Sequence, residues 1–430
     1  MIDLREYFHS VVLDDAKCNG CTNCMRRCPT EAIRVRERKA VIIKDRCIDC
    51  GECIRVCPYH AKDVIVDDLN ILKNYKYNIA ISPMSLYGQF SIDTDMNKVF
   101  SGIKALGFDS VFDEGIAADV LTIAIRDILK SNKLQKPVIS SLCPAVLRII
   151  QVRFPSLIDN IIAVESPMEV AARIIKTKTM KDYGLDYDDI GVFYLAQCPA
   201  KVTSIKRPIG IKKSYIDGAF SIKSIYGDIV KNAKKTKDNE NYIKPSPKGI
   251  GWGRVGGQSY AIGIENYLAV DGIENVIKVL EEIELGKLNN VDYFEGLACI
   301  GGCVGGPLNV ENPFIAKARI RNIARNSSEE NYVSQSCIED ILSKDLITWT
   351  EKIIPKGVMT LDSDITMAIK KIEILNQIQK ELPGIDCSSC GAPSCSALAE
   401  DIVRGMASID DCIFVLKEKI KMKDNYGGSI

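Results

Sequence analysis

The chain has 430 residues, enough for about three domains, and its 56 basic side chains balance its 56 acidic ones. A formal charge of zero argues against nucleic acid as the main ligand. Nothing reaches the run of about 18 apolar residues that a membrane span needs, and the opening segment, with Asp3 and Glu6, lacks the basic start of a secretory signal. We therefore expect a cytoplasmic protein.

The first cysteines form two identical runs, each C-x2-C-x2-C-x3-C-P. With 17 cysteines and only two histidines, a reducing compartment favours zinc or iron–sulfur sites over disulfides. The runs resemble the bacterial two-cluster ferredoxin, in which each fourth cysteine crosses to the other [4Fe–4S] cluster. This implies a first ferredoxin cage of Cys18, Cys21, Cys24 and Cys57, and a second ferredoxin cage of Cys28, Cys47, Cys50 and Cys53. Zinc knuckles are the alternative, although zinc prefers two CxxC pairs. The ferredoxin-like α+β domain is predicted over residues 10–66.

Four scattered cysteines each follow an apolar, strand-like run. Cys143 follows residues 137–142, Cys198 follows 190–196, and Cys299 and Cys303 follow 291–298. Pro144 then marks a helix start. Ligands of open α/β sheets bind beyond the carboxyl ends of the strands, so we predict that these thiols meet in one central cage. Glycines around Cys303 are expected to leave space beside its sulfur. Four buried structural cysteines are the alternative.

Three segments carry a resemblance to a known family. Residues 141–144 (SLCP), 197–201 (QCPAK) and 297–303 (LACIGGC) resemble the cysteine motifs of the [FeFe]-hydrogenase catalytic domain. The resemblance implies an α/β catalytic-type domain of [FeFe]-hydrogenase-like fold over residues 75–347. It implies a [4Fe–4S] cluster in the central cage, with Cys303 bridging to a two-iron CO/cyanide subcluster and Lys201 contacting a cyanide. Cys303 and Lys201 are thus the catalytic candidates.

The same resemblance shows departures along the proton path. Active members place a cysteine at the position of Leu142, acids near Ala124 and Ile125, and a serine near Ile162 or Ala163. An aliphatic side chain neither donates nor accepts a proton, so the usual relay is interrupted. These replacements resemble the sensory or regulatory branches of the family and predict slow turnover.

A last group of cysteines lies near the carboxyl end of the chain. The C-terminal cage consists of Cys387, Cys390, Cys395 and Cys412, and its pattern resembles the small [4Fe–4S] domain of electron-transport and carbon monoxide dehydrogenase-associated proteins. Zinc is the alternative. We predict a small, mostly helical cluster domain over residues 371–415, after a helical linker at 348–370 and before a tail at 416–430. Cys337 has no assigned role.

Three functional hypotheses follow: a slow hydrogenase, a sensor of H₂ or electron supply, and an electron carrier holding only [4Fe–4S] clusters. The expected cofactors are three outer [4Fe–4S] clusters and a fourth in the central cage, with or without the two-iron subcluster. The expected partners are a ferredoxin or another redox protein, and a separate signalling protein for the sensor. Residues 201–250 carry a net charge of +8, which suits an acidic redox partner, although the polar run at 231–241 also fits a solvated surface loop.

Overall fold

A computed structural model describes residues 8–131, 134–236, 240–325 and 347–426. The chain divides into two compact units. The smaller unit consists of residues 1–47, 52–63 and 356–430, and the larger unit consists of residues 48–51 and 64–355. Cys337 lies outside the described residues. No helix in the described part of the chain is long and apolar enough to cross a membrane.

The smaller unit joins both ends of the chain. Its first half has short strands and helices: β1 (Val11–Leu13), α1 (Asn23–Arg26), β2 (Ile33–Arg36), β3 (Lys39–Ile42), α2 (Glu52–Arg55) and β4 (Lys62–Val64), whose last residue begins the larger unit. β1 pairs with β4, and β2 forms an antiparallel hairpin with β3. Its second half is helical: α13 (Ile365–Glu381), α14 (Cys395–Val403) and α15 (Ile413–Tyr426).

The larger unit is built on two parallel sheets. The strands are β5 (Tyr77–Ser82), β6 (Ser110–Asp113), β7 (Val138–Ile139), β8 (Ile190–Ala196), β9 (Gly218–Ser221), β10 (Tyr267–Asp271) and β11 (Tyr293–Leu297). One sheet has the order β6-β5-β8-β9 and the other the order β10-β11-β7. This is the predicted α/β architecture, in which buried strands read as continuous apolar runs.

Helices connect the strands of the larger unit. They are α3 (Met96–Lys104), α4 (Glu114–Lys130), α5 (Pro144–Arg153), α6 (Pro167–Tyr183), α7 (Pro199–Lys206), α8 (Ile222–Lys235), α9 (Pro247–Gly251), α10 (Gly257–Ile262), α11 (Ile273–Glu284) and α12 (Pro313–Arg325). A core that includes Phe100, Phe193 and Phe220 fills the space between the first sheet and its helices. Burial of such aromatic side chains supplies much of the stability that holds the strand ends in place.

Two segments differ from expectation. The linker predicted as helical over 348–370 becomes helical only at Ile365, where the Asp364 carboxylate accepts hydrogen bonds from the first-turn backbone. Pro355 and Gly357 lie in the preceding irregular stretch. The surface loop expected at 231–241 begins later, since α8 continues to Lys235 on an apolar face that includes Ile225 and Ile229.

Candidate metal centres

The central cage lies where three parallel strands end. Cys143 follows β7, Cys198 follows β8 and Cys299 follows β11. Cys143 and Cys198 are the N-caps of α5 and α7, and each is followed by a proline at the first helical position. Proline fits this position because its missing N–H would have no partner there. The backbone N–H groups of the first turn therefore point towards the thiols, an arrangement that stabilises negative charge on sulfur.

The four thiols of the central cage influence one another electrostatically. Burial raises the pKa of Cys198 well above its ordinary value, and Cys299, Cys143 and Cys303 raise it further. Burial also raises the pKa of Cys303 to about 12, against the opposing effect of Lys201. Four thiolates together in this setting need a cation to offset their repulsion. The donor set therefore fits a metal cluster, whose positive iron keeps coordinating thiols deprotonated.

The glycines around Cys303 allow close contact between backbones. A Cβ on Gly306 would overlap the carbonyl of Gln197, and one on Gly305 would overlap the carbonyl of Ile300. Gly302 has a φ of +99° and lies against Arg254. The expectation that these glycines leave open space beside the sulfur is thus wrong. They hold the Cys303 loop against the loop of the second motif.

Lys201 is buried next to the central cage and forms an ion pair that the sequence did not suggest. Its Nζ lies 3.1 Å from Glu114 Oε1, and both side chains are almost completely buried. Burial alone would lower the pKa of Lys201, but Glu114, Cys303 and Cys198 outweigh it, so the pKa is raised and the ammonium is retained. Tyr194 donates a hydrogen bond to the other oxygen of Glu114 at 3.0 Å. No sequence motif links Glu114 to Lys201, because they are 87 residues apart.

Apolar side chains occupy the expected positions of the proton path. Leu142, Ala124, Ile125 and Ile162 are all buried. Two buried acids, Glu165 and Glu169, line a small cavity together with Ser141 of the first motif. Burial raises the pKa of Glu165 to about 8, and Arg173 lies 3.7 Å from its carboxylate. A buried acid therefore lies off the usual path, and the usual path itself contains no proton carrier at these four positions.

The structure brings together the four cysteines of the first ferredoxin cage. Cys18, Cys21, Cys24 and Cys57 line one cavity. The backbone N–H of Ala61 donates to the sulfur of Cys57 at 3.3 Å. Lys62 lines the same cavity with its side chain buried, and among the described residues its Nζ has no hydrogen-bond partner. A buried, unpaired ammonium is costly unless a negative group faces it, so this cavity fits an anionic thiolate cluster.

The cysteines predicted for the second ferredoxin cage belong to both units. Cys28, Cys47 and Cys53 are part of the smaller unit, and Cys50 is part of the larger unit. The N–H of Ala32 donates to Cys28 sulfur at 3.2 Å, and this repeats the Ala61–Cys57 contact at the equivalent position of the other run. The cluster assignment here remains a prediction.

The C-terminal cage is also assembled. Cys387, Cys390, Cys395 and Cys412 line one cavity at the amino end of α14. Cys412 packs with Leu398 in a small apolar core, which fixes the fourth cysteine against the helix that begins at Cys395. Four thiols around one cavity, without an accompanying histidine in its lining, fit a four-cysteine iron–sulfur or zinc site.

Three family models match the segments that contain the cysteine cages. Residues 78–262 and 258–307 match the model described as "Iron only hydrogenase large subunit, C-terminal domain". Residues 10–58 match the model described as "4Fe-4S dicluster domain", and residues 382–414 match the model described as "Putative Fe-S cluster". These matches support iron over zinc in the ferredoxin-like and C-terminal regions.

Two of the curated relatives are distantly similar hydrogenases. Iron hydrogenase 1 of Clostridium pasteurianum is 24% identical over 306 residues, which cover 56% of this chain and 52% of that protein. The periplasmic [Fe] hydrogenase large subunit of Nitratidesulfovibrio vulgaris is 23% identical over 385 residues, which cover 74% of this chain and 90% of that protein. The chain thus spans about half the length of the Clostridium relative.

Solved structures share the fold at low identity. A variant of the [FeFe]-hydrogenase HydA1 from Chlamydomonas reinhardtii has a TM-score of 0.51 at 15% identity, over 66% of this chain and 95% of that one. Another [FeFe]-hydrogenase structure has a TM-score of 0.53 at 14% identity, over 67% of this chain and 98% of that one. The α/β prediction is therefore confirmed. The iron-only hydrogenase model matches more than half of the residues of this chain, and the chain therefore belongs to the iron-only hydrogenase large-subunit family.

Proposed function

We propose that this protein is an iron–sulfur redox protein that carries out slow H₂ and proton chemistry at the central cage. The observation that carries the proposal is the convergence of Cys143, Cys198, Cys299 and Cys303 next to buried Lys201. When bound there, an iron centre with a two-iron subcluster supplies the reaction 2H⁺ + 2e⁻ ⇌ H₂. Cys303 is the proposed bridging ligand, in keeping with the family resemblance.

The surrounding residues have separate tasks in this proposal. The cysteines hold the metal, and Lys201 offers a positive charge to negatively charged diatomic ligands. Leu142 and the buried chains around it keep water away from the cage. Gly51, in the segment between Cys50 and Cys53, packs against Pro199 and Pro307, so the Cys50 segment approaches the residue that follows Cys198.

The speed of the reaction distinguishes a working hydrogenase from a sensor. Each general acid–base step typically contributes about 100- to 10,000-fold to a rate. Because Leu142, Ala124 and Ile125 occupy the relay positions, protons are delivered slowly to the central cage. A slow reaction suits detection of H₂ or of electron supply better than bulk turnover. We propose a ferredoxin or another redox protein as partner, and a separate signalling protein for the sensory role.

A second candidate function is electron transfer through [4Fe–4S] clusters alone. The Glu114–Lys201 pair favours it, because Glu114 already neutralises the cation that a cyanide ligand would contact. A carboxylate next to negatively charged ligands is unfavourable unless it is protonated or displaced. The two candidates therefore differ in one structural respect, namely whether Lys201 is available to a two-iron subcluster.

Iron content and infrared spectra of anaerobically prepared protein, made with and without the hydrogenase maturation enzymes, test both candidates. Four loaded cages give about sixteen iron atoms per chain, and the two-iron subcluster raises this to about eighteen. Infrared bands of metal-bound CO and cyanide in the matured sample support H₂ chemistry. Their absence, with about sixteen iron atoms, refutes that proposal and leaves the electron carrier. Zinc in place of iron refutes both.

A further inference from the structure

Inside the smaller unit, buried ion pairs connect the ferredoxin-like segment to the C-terminal segment. Arg34 donates to both carboxylate oxygens of Asp401, through Nε at 2.7 Å and Nη2 at 3.0 Å. Arg36 donates to the same carboxylate at 2.8 Å, and Arg46 pairs with Glu400. Arg34 and Asp401 are both buried. A bidentate arginine–carboxylate pair fixes orientation as well as distance.

Backbone contacts at the same interface link two of the cysteine cages. The N–H of Val35 donates to the carbonyl of Gly391 at 2.9 Å, and Arg36 donates to the carbonyl of Cys390 at 3.1 Å. Val35 lines the first ferredoxin cage, while Cys390 lines the C-terminal cage. Gly391 has a φ of +78°, and a Cβ there would overlap the carbonyl of Val35. Only glycine allows this approach.

We propose that the C-terminal cage and the first ferredoxin cage form one electron-exchange pair, connected by Val35 and Gly391 and held in place by Arg34, Arg36 and Asp401. The bonded path runs from Cys390 through Gly391 and one hydrogen bond to Val35. One electron moves from a reduced [4Fe–4S]¹⁺ cluster to an oxidised [4Fe–4S]²⁺ cluster, so that each changes by one charge and no proton or covalent bond is involved. The C-terminal cage and the first ferredoxin cage are therefore one electron-transfer unit and not two independent ones.

Lys62 gives this pair a direction. Its buried ammonium faces the first ferredoxin cage, and positive charge stabilises the more negative, reduced form of a cluster. Electrons that enter at the C-terminal cage are thereby drawn to the ferredoxin module. No lysine or arginine is among the described residues that line the C-terminal cage, and Arg36, which donates to the Cys390 carbonyl, is neutralised by its pair with Asp401. The inference rests on the proposed function in one respect, that both cages hold [4Fe–4S] clusters.

Electron paramagnetic resonance of the fully reduced full-length protein tests the inference. Subtracting the spectrum of Cys412→Ser isolates the C-terminal contribution. In the parent chain, we expect coupling to the first ferredoxin cage to make the signal of the C-terminal cluster broad and fast-relaxing. In Asp401→Asn, that signal should become narrow and slowly relaxing. Asp410→Asn is the matched control, since Asp410 is an exposed acid of the same domain that pairs with Lys419 at 2.6 Å. Unchanged iron content verifies that the cages remain filled.

Two further variants keep the test decisive if Asp401→Asn loses iron. Arg36→Met removes a half-exposed partner of Asp401 and should partially narrow the paramagnetic resonance signal of the C-terminal cluster. Lys62→Met should lower the reduction potential of the first ferredoxin cage in a redox titration. A signal that is already narrow in the parent chain, with all clusters present, overturns the inference while the proposed function stands. A C-terminal cage that holds zinc overturns the inference, and absence of iron throughout overturns both.

Discussion

The buried Glu114–Lys201 pair is the residue-scale feature that most affects the central cage. Removing one partner of a buried pair leaves an uncompensated charge, which costs about 3 kcal/mol or more. We therefore expect Glu114→Gln to lower the free energy of unfolding by about that amount, measured anaerobically by denaturant titration. Asp182→Asn is the control, because its exposed pair with Lys178 contributes at most about 0.5 kcal/mol. Equal effects of the two substitutions would contradict this assignment.

Leu142 is the residue at which a proton donor is missing. Leu142→Cys restores a thiol at the position that active relatives use, and we expect roughly tenfold faster H₂ evolution from matured protein, below the usual range for one acid–base step because the other relay positions stay aliphatic. Leu142→Ala opens at least as much space as Leu142→Cys without adding a donor. A rate increase shared by both variants would point to access rather than proton transfer, and no increase would place the block elsewhere.

Glu165 makes stability depend on pH. Burial, with a contribution from Glu169, raises its pKa from 4.5 to about 8. The folded state thus holds a proton that the unfolded state has released, so stability falls as the pH rises above 4.5 and stops falling above about 8. Between about pH 6 and 8 the loss is on the order of 2 kcal/mol. Thermal unfolding of Glu165→Gln should show a pH-dependent loss smaller by about this amount than that of the parent chain, with the remainder due to other buried acids such as Asp113, whose pKa burial raises to about 7. Glu281→Gln, at an exposed site, should behave like the parent chain.

At the scale of elements, the loop after β11 is held against the loop after β8 by a glycine contact. Because a Cβ on Gly306 would overlap the carbonyl of Gln197, Gly306→Ala should push Cys303 away from Cys198. We expect a loss of about four iron atoms per chain, with the ferredoxin signals intact. Gly227→Ala, in α8 with open space around it, is the control and should keep all iron. Full iron loading in Gly306→Ala would show that the loop adapts.

Elements were predictable wherever a local pattern determined them. β8 has the bounds that its apolar run indicates, Ile190–Ala196. The prediction that the four central thiols meet used the carboxyl ends of strands, but those strands belong to two sheets, β8 to one and β7 and β11 to the other. Contacts between distant side chains were not predictable, since neither Glu114 with Lys201 nor Arg34 with Asp401 leaves a local signal. The role of the glycines near Cys303 was misjudged because their sequence does not reveal which backbone lies opposite.

At the scale of the whole molecule, residues 356–430 complete the ferredoxin module rather than extend the larger unit. The smaller unit contains both chain ends, and Arg34 is buried there against Asp401. Arg46 makes a second pair with Glu400, and it too is buried. A chain that ends at Pro355 would expose both arginines and remove the cover that Gly391 provides over Val35.

We therefore expect truncation after Pro355 to destabilise the cluster of the first ferredoxin cage. In anaerobic protein treated with an iron chelator, the visible absorbance of this cluster should decay at least several-fold faster than in the full chain. Cys412→Ser is the matched comparison, because it disables the C-terminal cage while the arginine pairs with Asp401 and Glu400 remain. Slow decay in Cys412→Ser with fast decay in the truncated chain identifies the protein contact as the cause. If the truncated chain retains its cluster as long as the full chain, the ion pairs of Asp401 and Glu400 do not support the ferredoxin module.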